Sequence, residues 1–323
     1  MSKHLIPKNY IKAVVSYFAE ILPLFLNNWE KRKIQHYGNQ PLKFQPVFII
    51  GAPRTGSTIL YQTLTNLYDV LYINNTISKF YRNFFWFFGV SNAVFGAKPH
   101  NNFQSYHGNT KGLNSPGECG SFWYKWLPKD RHFIDCHDIN FKSIEQIRLE
   151  ISAVINYFGK PLVFKNLSAG QRIRLLIQCF PEAKFIFITR NPIYTAQSVV
   201  KAKQNLGLND NEFWSIMPYN VKELKCLPWY EQIVKQIYFL EKQIVEDSCL
   251  IKNGHFFTIY YNRLSVKIVE DLAEKLGFNK REKAKIPDII INEKQTIPET
   301  NFQKLKRQVK SLNWDFIPPD LIS

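Results

Sequence analysis

Residues 51–58 read GAPRTGST and follow a short apolar run, PVFII, at 46–50. Beyond them, apolar side chains recur at helical spacing, at Ile59, Leu60, Leu64 and Leu67. A buried strand, a glycine-bearing loop and a helix in this order are typical of a parallel α/β sheet. Glycine lets backbone N–H groups turn toward an anion, and the helix adds the positive end of its dipole. The stretch therefore predicts an α/β fold with an anion site at a strand end.

The loop differs at one position from the phosphate loop of ATP and GTP hydrolases. Ser57 stands where that loop carries a lysine, and the basic residue of the loop is Arg54 instead. Those hydrolases also need a carboxylate that helps to hold Mg²⁺. Here the predicted strand at 184–189 is followed by Arg190. This pattern favours a strongly anionic nucleotide bound without a metal ion over a glycine-containing turn that binds no ligand.

The rest of the chain alternates apolar strand and helix patterns, which predicts a P-loop-type three-layer α/β/α fold with a central, mostly parallel sheet. Further strands are predicted at 162–164, 184–189 and 255–260. Helices are predicted at 141–158, after a cap at Ser168, after Asn191-Pro192, at 229–248 and at 264–276. The length of 323 residues fits an N-terminal helical segment, 1–45, packed on a single domain, 46–323.

Lys and Arg outnumber Asp and Glu by 42 to 26, giving a formal net charge of +16. Such a balance indicates either a solvated basic surface or attraction to a nucleotide, an acidic glycan, nucleic acid or a membrane. The sequence contains no zinc-finger, homeodomain or RNA-recognition motif, so we expect no nucleic-acid partner. The five cysteines are odd in number and form no CxxC pair, which argues against a disulfide framework or a zinc site.

The N-terminal apolar segment at 11–26 is interrupted by Lys12, Glu20 and Pro23. It is too short for a membrane-spanning helix and lacks the small-residue cleavage site of a signal peptide. We expect a helix packed on the domain of a cytoplasmic protein, with peripheral contact to a membrane surface as the alternative.

Three segments resemble sulfotransferases. The loop at 51–58 is similar to the donor loop of the tyrosylprotein and bacterial branches of that family. The segment FKNLSAGQRIRLLIQCFPEAKFIFITRNPIYTAQSVV, at 164–200, resembles the second signature of the family, with Lys165, Arg190 and Ser198 in the expected order. A third, weaker resemblance lies at 258–278, where Asn262 stands in the place of the usual glutamate.

The resemblance implies a donor, 3′-phosphoadenosine-5′-phosphosulfate (PAPS), a product, adenosine 3′,5′-bisphosphate (PAP), and no metal. The implied donor-binding residues are Arg54, Thr55, Gly56, Ser57, Thr58, Arg190, Ser198 and Tyr260. Among them, Arg190 and Ser198 would bind the 3′-phosphate, because arginine forks onto phosphate and the serine follows on the next helix. Arg54 and Lys165 would stabilise charge on the oxygen that leaves the sulfur.

The catalytic base is the least determined element. In the tyrosylprotein branch a glutamate follows the donor loop, but the corresponding positions here are Asn74 and Asn75. Glu118, in SPGE at 115–118, resembles an element of some bacterial members and is our first candidate. His107 and His137 are the alternatives.

Residues 72–138 are rich in aromatic residues, Gly and Asn without a sustained period, and we expect an irregular insertion that walls an acceptor pocket. The aromatic residues are either core or the lining of that pocket: Phe80, Tyr81, Phe84, Phe85, Trp86, Phe87 and Phe88. The acceptor is a small molecule, a glycan or a lipid, and aromatic faces do not choose among them. A P-loop small-molecule kinase and a catalytically inactive nucleotide-binding homologue remain as alternative functions.

Overall fold

A computed structural model describes residues 28–96, 98–106, 108–210, 212–282 and 284–317. The strands are β1 (Val47–Ile50), β2 (Leu71–Tyr72), β3 (Ser105–Tyr106), β4 (Asn109–Thr110), β5 (Leu162–Lys165), β6 (Lys184–Thr189) and β7 (Phe256–Tyr260). The helices of the first half are α1 (28–38), α2 (Ser57–Leu67), α3 (Asn75–Lys79), α4 (Phe84–Phe95) and α5 (Gly120–Trp123). Those of the second half are α6 (Phe141–Phe158), α7 (Ile173–Cys179), α8 (Pro192–Asn205), α9 (Val221–Leu224), α10 (Trp229–Ser248), α11 (Val266–Leu276) and α12 (Glu299–Lys310).

The central sheet has five strands in the order β2-β5-β1-β6-β7, and its neighbouring strands all pair in parallel. β1 lies in the middle, so the loop that follows it opens at the centre of the carboxyl edge. In open α/β sheets this edge is where ligands bind. The strands β3 and β4 form a separate antiparallel hairpin. The predicted α/β fold with a parallel sheet is confirmed.

Both faces of the sheet are covered, because side chains alternate along each strand. Phe48 of β1 is fully buried and packs between Phe164 and Phe185, with ring centroids 5.1 and 5.5 Å away. That face carries α6 and α7, whereas the opposite face, with Val47 and Ile49, carries α2 and α11. Helices on both sides of one sheet make the three layers.

Most predicted elements agree with the structure within a few residues, and α6, β6 and α10 agree at both ends. Asn191 caps α8 by accepting a hydrogen bond from the N–H of Ile193 (3.1 Å). The predicted cap at Ser168 is wrong, since 167–171 form a 3₁₀ helix and α7 begins only at Ile173. The cause is tertiary: Gln171 is buried and bonded to Leu240 O (3.2 Å), which fixes the chain before α7.

The aromatic run in the insertion belongs to the core. Phe84, Phe85, Phe87 and Phe88 are buried among side chains of α5 and α6. Phe80 stacks on Phe87 at a centroid distance of 4.1 Å. Of the two readings of these rings, the core is therefore the one that the structure supports, and neither donor-loop cavity contains them.

The N-terminal segment is helical over 28–38, and this part packs on α4. Glu30 is buried there and accepts a hydrogen bond from the N–H of Trp86 (3.0 Å), at the amino end of α4. The predicted helix at 11–26 lies outside the described residues. Within the described ranges, no helix has both the length and the apolar character that crossing a membrane requires.

Candidate active site

The loop between β1 and α2 turns sharply because Gly56 adopts a left-handed conformation, with φ of 92°. A Cβ atom at this position would lie 2.4 Å from Cδ2 of Tyr261, so no larger residue fits. α2 begins at Ser57 and has no acidic residue in its first turn. The first N–H groups of a helix have no partner within it and carry the positive end of the dipole. The loop thus presents an anion-binding helix terminus at the end of the central strand.

Arg54 joins the loop to the next strand. Its backbone is left-handed (φ 72°), and its Nε donates to Oγ of Ser198 at 3.0 Å. Nη1 of Arg190 donates to the carbonyl of Arg54 at 3.2 Å. Burial, and then the neighbouring Arg190 charge, lower the pKa of Arg54. Three of the predicted residues therefore meet at one end of the loop, where two guanidinium groups lie side by side.

At the other end of the loop lies Lys165, the last residue of β5, which is only 3% exposed. Its Nζ lies 3.1 Å from Oγ1 of Thr58 and forms an ion pair with Glu118. The side chain of Glu118 is 38% exposed, so its carboxylate is open to the cavity. The structure thus brings the first candidate for the base beside the predicted catalytic lysine, although 47 residues separate them.

Two adjoining cavities surround this arrangement. The first, of about 380 Å³, is lined by Arg54, Arg190, Tyr194, Gln197, Ser198, Lys201, Asn205, Tyr261, Asn292, Lys294 and Thr296. The second cavity has a volume of about 460 Å³. The loop and the start of α2 contribute Pro53, Arg54, Gly56, Ser57, Thr58 and Ile59, and the insertion contributes Ser105, Gly108, Asn109 and Glu118. The remaining lining residues come from later segments: Lys165, Leu167, Arg190, Ser198, Trp214, Ser215, Ile216 and Tyr261. They share Arg54, Arg190, Ser198 and Tyr261.

Two predicted donor-binding residues differ from the rest of the set. Tyr260 ends β7 and lines neither cavity, whereas Tyr261 lines both, with its ring 4.5 Å from Cζ of Arg190. We therefore replace Tyr260 by Tyr261 in the candidate site. The side chain of Thr55 is fully buried and donates to Ala52 O (2.9 Å), so only its backbone can contribute.

The other candidates for the base lie elsewhere or cannot be placed. His137 is exposed on a short 3₁₀ helix and lines neither cavity, and His107 lies outside the described residues. Asn74 caps α3 by accepting from the N–H of Ile77 at 3.0 Å. Asn75 donates to the carbonyl of Gly112 at 2.8 Å. Both asparagines thus have structural roles.

Sequence reasoning missed the segment at 292–296 that closes the first cavity, here called the strap. Gln197 holds it with two bonds, donating to Lys294 O (2.7 Å) and accepting from the N–H of Thr296 (2.9 Å). Arg190 donates to the carbonyl of Asn292, and its Nε lies 3.5 Å from the carboxylate of Glu293. Nothing in the local sequence of the strap indicates this long-range contact.

The missed residues of α8 did leave a signal. Tyr194, Lys201 and Asn205 lie four, three and seven residues from Ser198, which are the spacings of one helix face, and Gln197 lies three and four residues from Tyr194 and Lys201 at the edge of that face. Given Ser198 as a candidate, helical periodicity alone is enough to predict that these residues line the same cavity.

The site is strongly cationic. Among the described residues that line the cavities, Arg54, Lys165, Arg190, Lys201 and Lys294 carry positive charge, and Glu118 is the sole carboxylate. One carboxylate paired with a lysine is a poor ligand set for Mg²⁺, which prefers several oxygen ligands. The arrangement suits a ligand with more than one phosphate-like group, placed along the two cavities.

Comparisons with known proteins identify the family of the chain. The sequence profile described as the sulfotransferase family matches residues 46–277, and the chain belongs to this family of transferases. Similar solved structures include sulfotransferase STF9 from Mycobacterium avium, with 12% identity, 92% of this chain and 73% of that chain covered, and a TM-score of 0.48. Another is STF1 from Mycobacterium tuberculosis H37Rv, with 15% identity, 94% and 92% coverage and a TM-score of 0.47. No curated protein matches the chain.

A buried carboxyl group lies behind the site, next to the strand that carries Arg190. Glu241 of α10 is fully buried, and its Oε2 accepts a hydrogen bond from Oγ1 of Thr189 at 3.0 Å. Burial raises the pKa of Glu241 from 4.5 to about 8. The folded protein therefore keeps this group protonated at neutral pH, where the unfolded chain ionises it.

We predict that Glu241→Gln removes a pH dependence of stability. The folded state holds a proton that the unfolded state releases, so the free energy of unfolding falls by about 1.4 kcal/mol per pH unit between about pH 5 and 8. In urea denaturation from pH 5 to 9, the free energy of unfolding of the variant should rise relative to that of the parent protein as the pH increases over this window. Glu246→Gln, at a 54% exposed side chain of the same helix, is the control. Parallel profiles for parent and Glu241→Gln would contradict the assignment.

Proposed function

We propose that the chain moves a sulfuryl group from PAPS to a hydroxyl or amine of an acceptor, in line and without a metal ion. One observation carries the proposal. Across the amino end of α2, the pair Arg190 and Ser198 lies on one side, and the pair Lys165 and Glu118 lies on the other. A donor that carries a 3′-phosphate at one end and a 5′-phosphosulfate at the other could contact the first pair with its 3′-phosphate and the second pair with its sulfuryl group.

In this proposal the donor lies along both cavities. The 5′-phosphosulfate is held by backbone N–H groups of 54–58, at a helix terminus that favours anions. The 3′-phosphate binds Arg190 and Ser198 in the first cavity, with Lys201 and Lys294 adding positive charge. Tyr261 lines both cavities and therefore lies beside the nucleoside that connects the two groups.

The transfer then needs positioning and charge stabilisation more than covalent chemistry. The acceptor oxygen attacks the sulfur, the bond from sulfur to the bridging oxygen of the 5′-phosphate breaks, and PAP leaves. Arg54 and Lys165 stabilise the charge on the bridging oxygen, an effect worth about 10²–10³ in rate for a single donor. Glu118 accepts the proton of the acceptor hydroxyl. Its ion pair with Lys165, the residue proposed for the bridging oxygen, supports this role.

The alternatives are a P-loop small-molecule kinase and an inactive nucleotide-binding homologue. A kinase lacks support because Ser57 replaces the loop lysine and the cavities offer a single carboxylate among their described residues. An inactive homologue was favoured by Asn74 and Asn75, which stand at the positions of a catalytic glutamate. Glu118, however, offers a carboxylate beside the loop. We also propose a cytoplasmic location, which the five free cysteines favour.

The proposal is tested by calorimetric titration of PAP in EDTA beside ATP with Mg²⁺. We expect PAP to bind at least about tenfold more tightly, a difference of about 1.4 kcal/mol. Ser198→Ala should weaken the binding of PAP and leave the affinity for adenosine 5′-monophosphate unchanged, because only PAP carries the 3′-phosphate. Tighter binding of ATP with Mg²⁺ would overturn the sulfotransferase proposal in favour of a kinase.

We predict that Glu118→Gln lowers turnover by about 10²–10⁴, the usual contribution of a positioned general base. PAP affinity should not fall, because the carboxylate contacts no part of the donor in this proposal and its removal frees Lys165 from the ion pair. Labelled sulfate transfer measures the first quantity and calorimetry the second. Glu145→Gln, at an exposed position of α6, is the control. Unchanged turnover of Glu118→Gln would remove this residue from the mechanism.

We predict that Glu293→Gln tightens PAP binding by about 3- to 10-fold. The carboxylate of Glu293 lies 3.5 Å from Nε of Arg190 and competes with the 3′-phosphate for that guanidinium. A partly exposed ion pair of this kind is worth about 1 kcal/mol, which sets the size of the effect. Asp288→Asn removes one negative charge from an exposed position nearby in the chain and should leave the affinity unchanged. Equal gains in both variants would indicate a general effect of charge.

A further inference from the structure

The second cavity extends beyond the donor loop, and the β3–β4 hairpin forms one of its walls. Ser105, Gly108 and Asn109 of this hairpin line the cavity. A Cβ atom at Gly108 would lie 3.5 Å from Oε1 of Glu118 and 3.8 Å from Nζ of Lys165. The backbone of Gly108 is left-handed, with φ of 90°. Gly108 therefore lies directly over the proposed base and adds no side chain of its own there.

The facing wall is the segment Trp214-Ser215-Ile216, which is rigidly held. Gln236 of α10 is 2% exposed, and its Nε2 donates to Trp214 O (2.8 Å) and to Ile216 O (2.7 Å). Between these two anchored carbonyls, Ser215 is exposed and left-handed, with φ of 70°. Such a conformation is uncommon for serine and persists only where the surroundings enforce it. The wall is thus preorganised to present Ser215 at the cavity mouth.

The two walls combine polar side chains with one aromatic ring. Ser105, Asn109 and Ser215 are exposed and offer two hydroxyls and an amide, whereas Trp214 offers one aromatic ring. Hydroxyl and amide groups both donate and accept hydrogen bonds, as sugar hydroxyls do, and an aromatic face packs on the apolar face of a sugar ring. Apolar side chains also line the cavity, at Pro53, Ile59, Leu167 and Ile216, but they belong to the loop side and the floor, and the aromatic run at 84–88, on which a flat phenol could stack, is absent from it.

We propose that these two walls form the acceptor site and that the acceptor is a carbohydrate, which rests on the proposed sulfuryl transfer. A sugar hydroxyl oxygen attacks the sulfur of PAPS, and the bond to the bridging oxygen breaks. Glu118 takes the hydroxyl proton and releases it to solvent. The products are a sugar sulfate ester and PAP. Trp214, Ser215 and Asn109 orient the sugar, and Gln236 acts as a positioning residue through the 214–216 segment.

The experiment compares ³⁵S transfer from labelled PAPS to a saccharide panel and to a matched panel of phenols and long-chain alcohols. The saccharides include glucose, N-acetylglucosamine, maltose, cellobiose and oligosaccharide fragments of glycans. We expect kcat/KM for the preferred saccharide to exceed that for the best phenol or alcohol by at least about tenfold, which corresponds to about 1.4 kcal/mol. Monosaccharides and oligosaccharides in separate arms distinguish a free sugar from a glycan chain.

Variants at the walls give a second readout. Trp214→Ala and Asn109→Ala should each raise KM for the saccharide by about 3- to 10-fold, the loss of one ring contact or hydrogen bond. PAP affinity should not change in either. Asn109 is exposed, so its replacement should not unfold the protein. The Asn109→Ala variant therefore still tests the site if Trp214→Ala fails to fold. Trp29→Ala, at a 45% exposed tryptophan outside both cavities, is the control and should leave KM unchanged.

The outcomes separate this inference from the proposed function. Binding of PAP with transfer to phenols or alcohols and to no saccharide overturns the carbohydrate acceptor and leaves sulfuryl transfer standing. Saccharide transfer with unchanged KM in Asn109→Ala and Trp214→Ala overturns the assignment of the walls. Failure to bind PAP, together with tighter binding of ATP with Mg²⁺, overturns the proposed function itself.

Discussion

The close contact between Gly56 and the ring of Tyr261 is the constraint on which the site depends. The ring fills the space that a side chain at position 56 would need, and the guanidinium of Arg190 lies 4.5 Å from its centroid. Three segments are thereby locked together: the loop after β1, the residue after β6 and the residue after β7. Because β1, β6 and β7 are consecutive in a parallel sheet, their carboxyl ends already lie along one edge. The ring converts this general proximity into a defined geometry.

Groups of the protein contact two of the cations of the site. Lys165 pairs with Glu118, and Arg190 contacts the strap through Asn292 and Glu293. Such pairing offsets part of the cost of burying positive charge. It also restricts the conformations of both side chains, so their positive charges stay at the carboxyl edge of the sheet, beside the loop.

The sequence predicted the fold well where local patterns decide it. The α6, β6 and α10 boundaries follow from apolar periodicity, and the start of α8 follows from its cap, Asn191. Both kinds of signal require only nearby residues. It failed where tertiary contacts decide. Ser168 lies in a 3₁₀ turn that Gln171 fixes from within the core. Tyr260, taken from the resemblance, stays a prediction, whereas Tyr261 lines both cavities because the chain turns into a 3₁₀ helix directly after β7, which no local pattern indicates. The strap and the 214–216 wall depend wholly on contacts with distant helices, through Gln197 and Gln236.

The central position of β1 has a consequence for the way the chain folds. Val47 pairs with Val163 on one side and with Lys184 on the other, so neither neighbour exists until more than half of the chain has been synthesised. Contacts between such distant segments slow folding, because the closure entropy is lost before the contacts form. The aromatic run at 84–88 packs against α6, which is synthesised later, so these rings stay uncovered in the growing chain and expose it to aggregation. The loop at Gly56 likewise meets the ring of Tyr261 only after β7, the last strand of the sheet in chain order, has been synthesised, so the shape of this loop depends on a late segment.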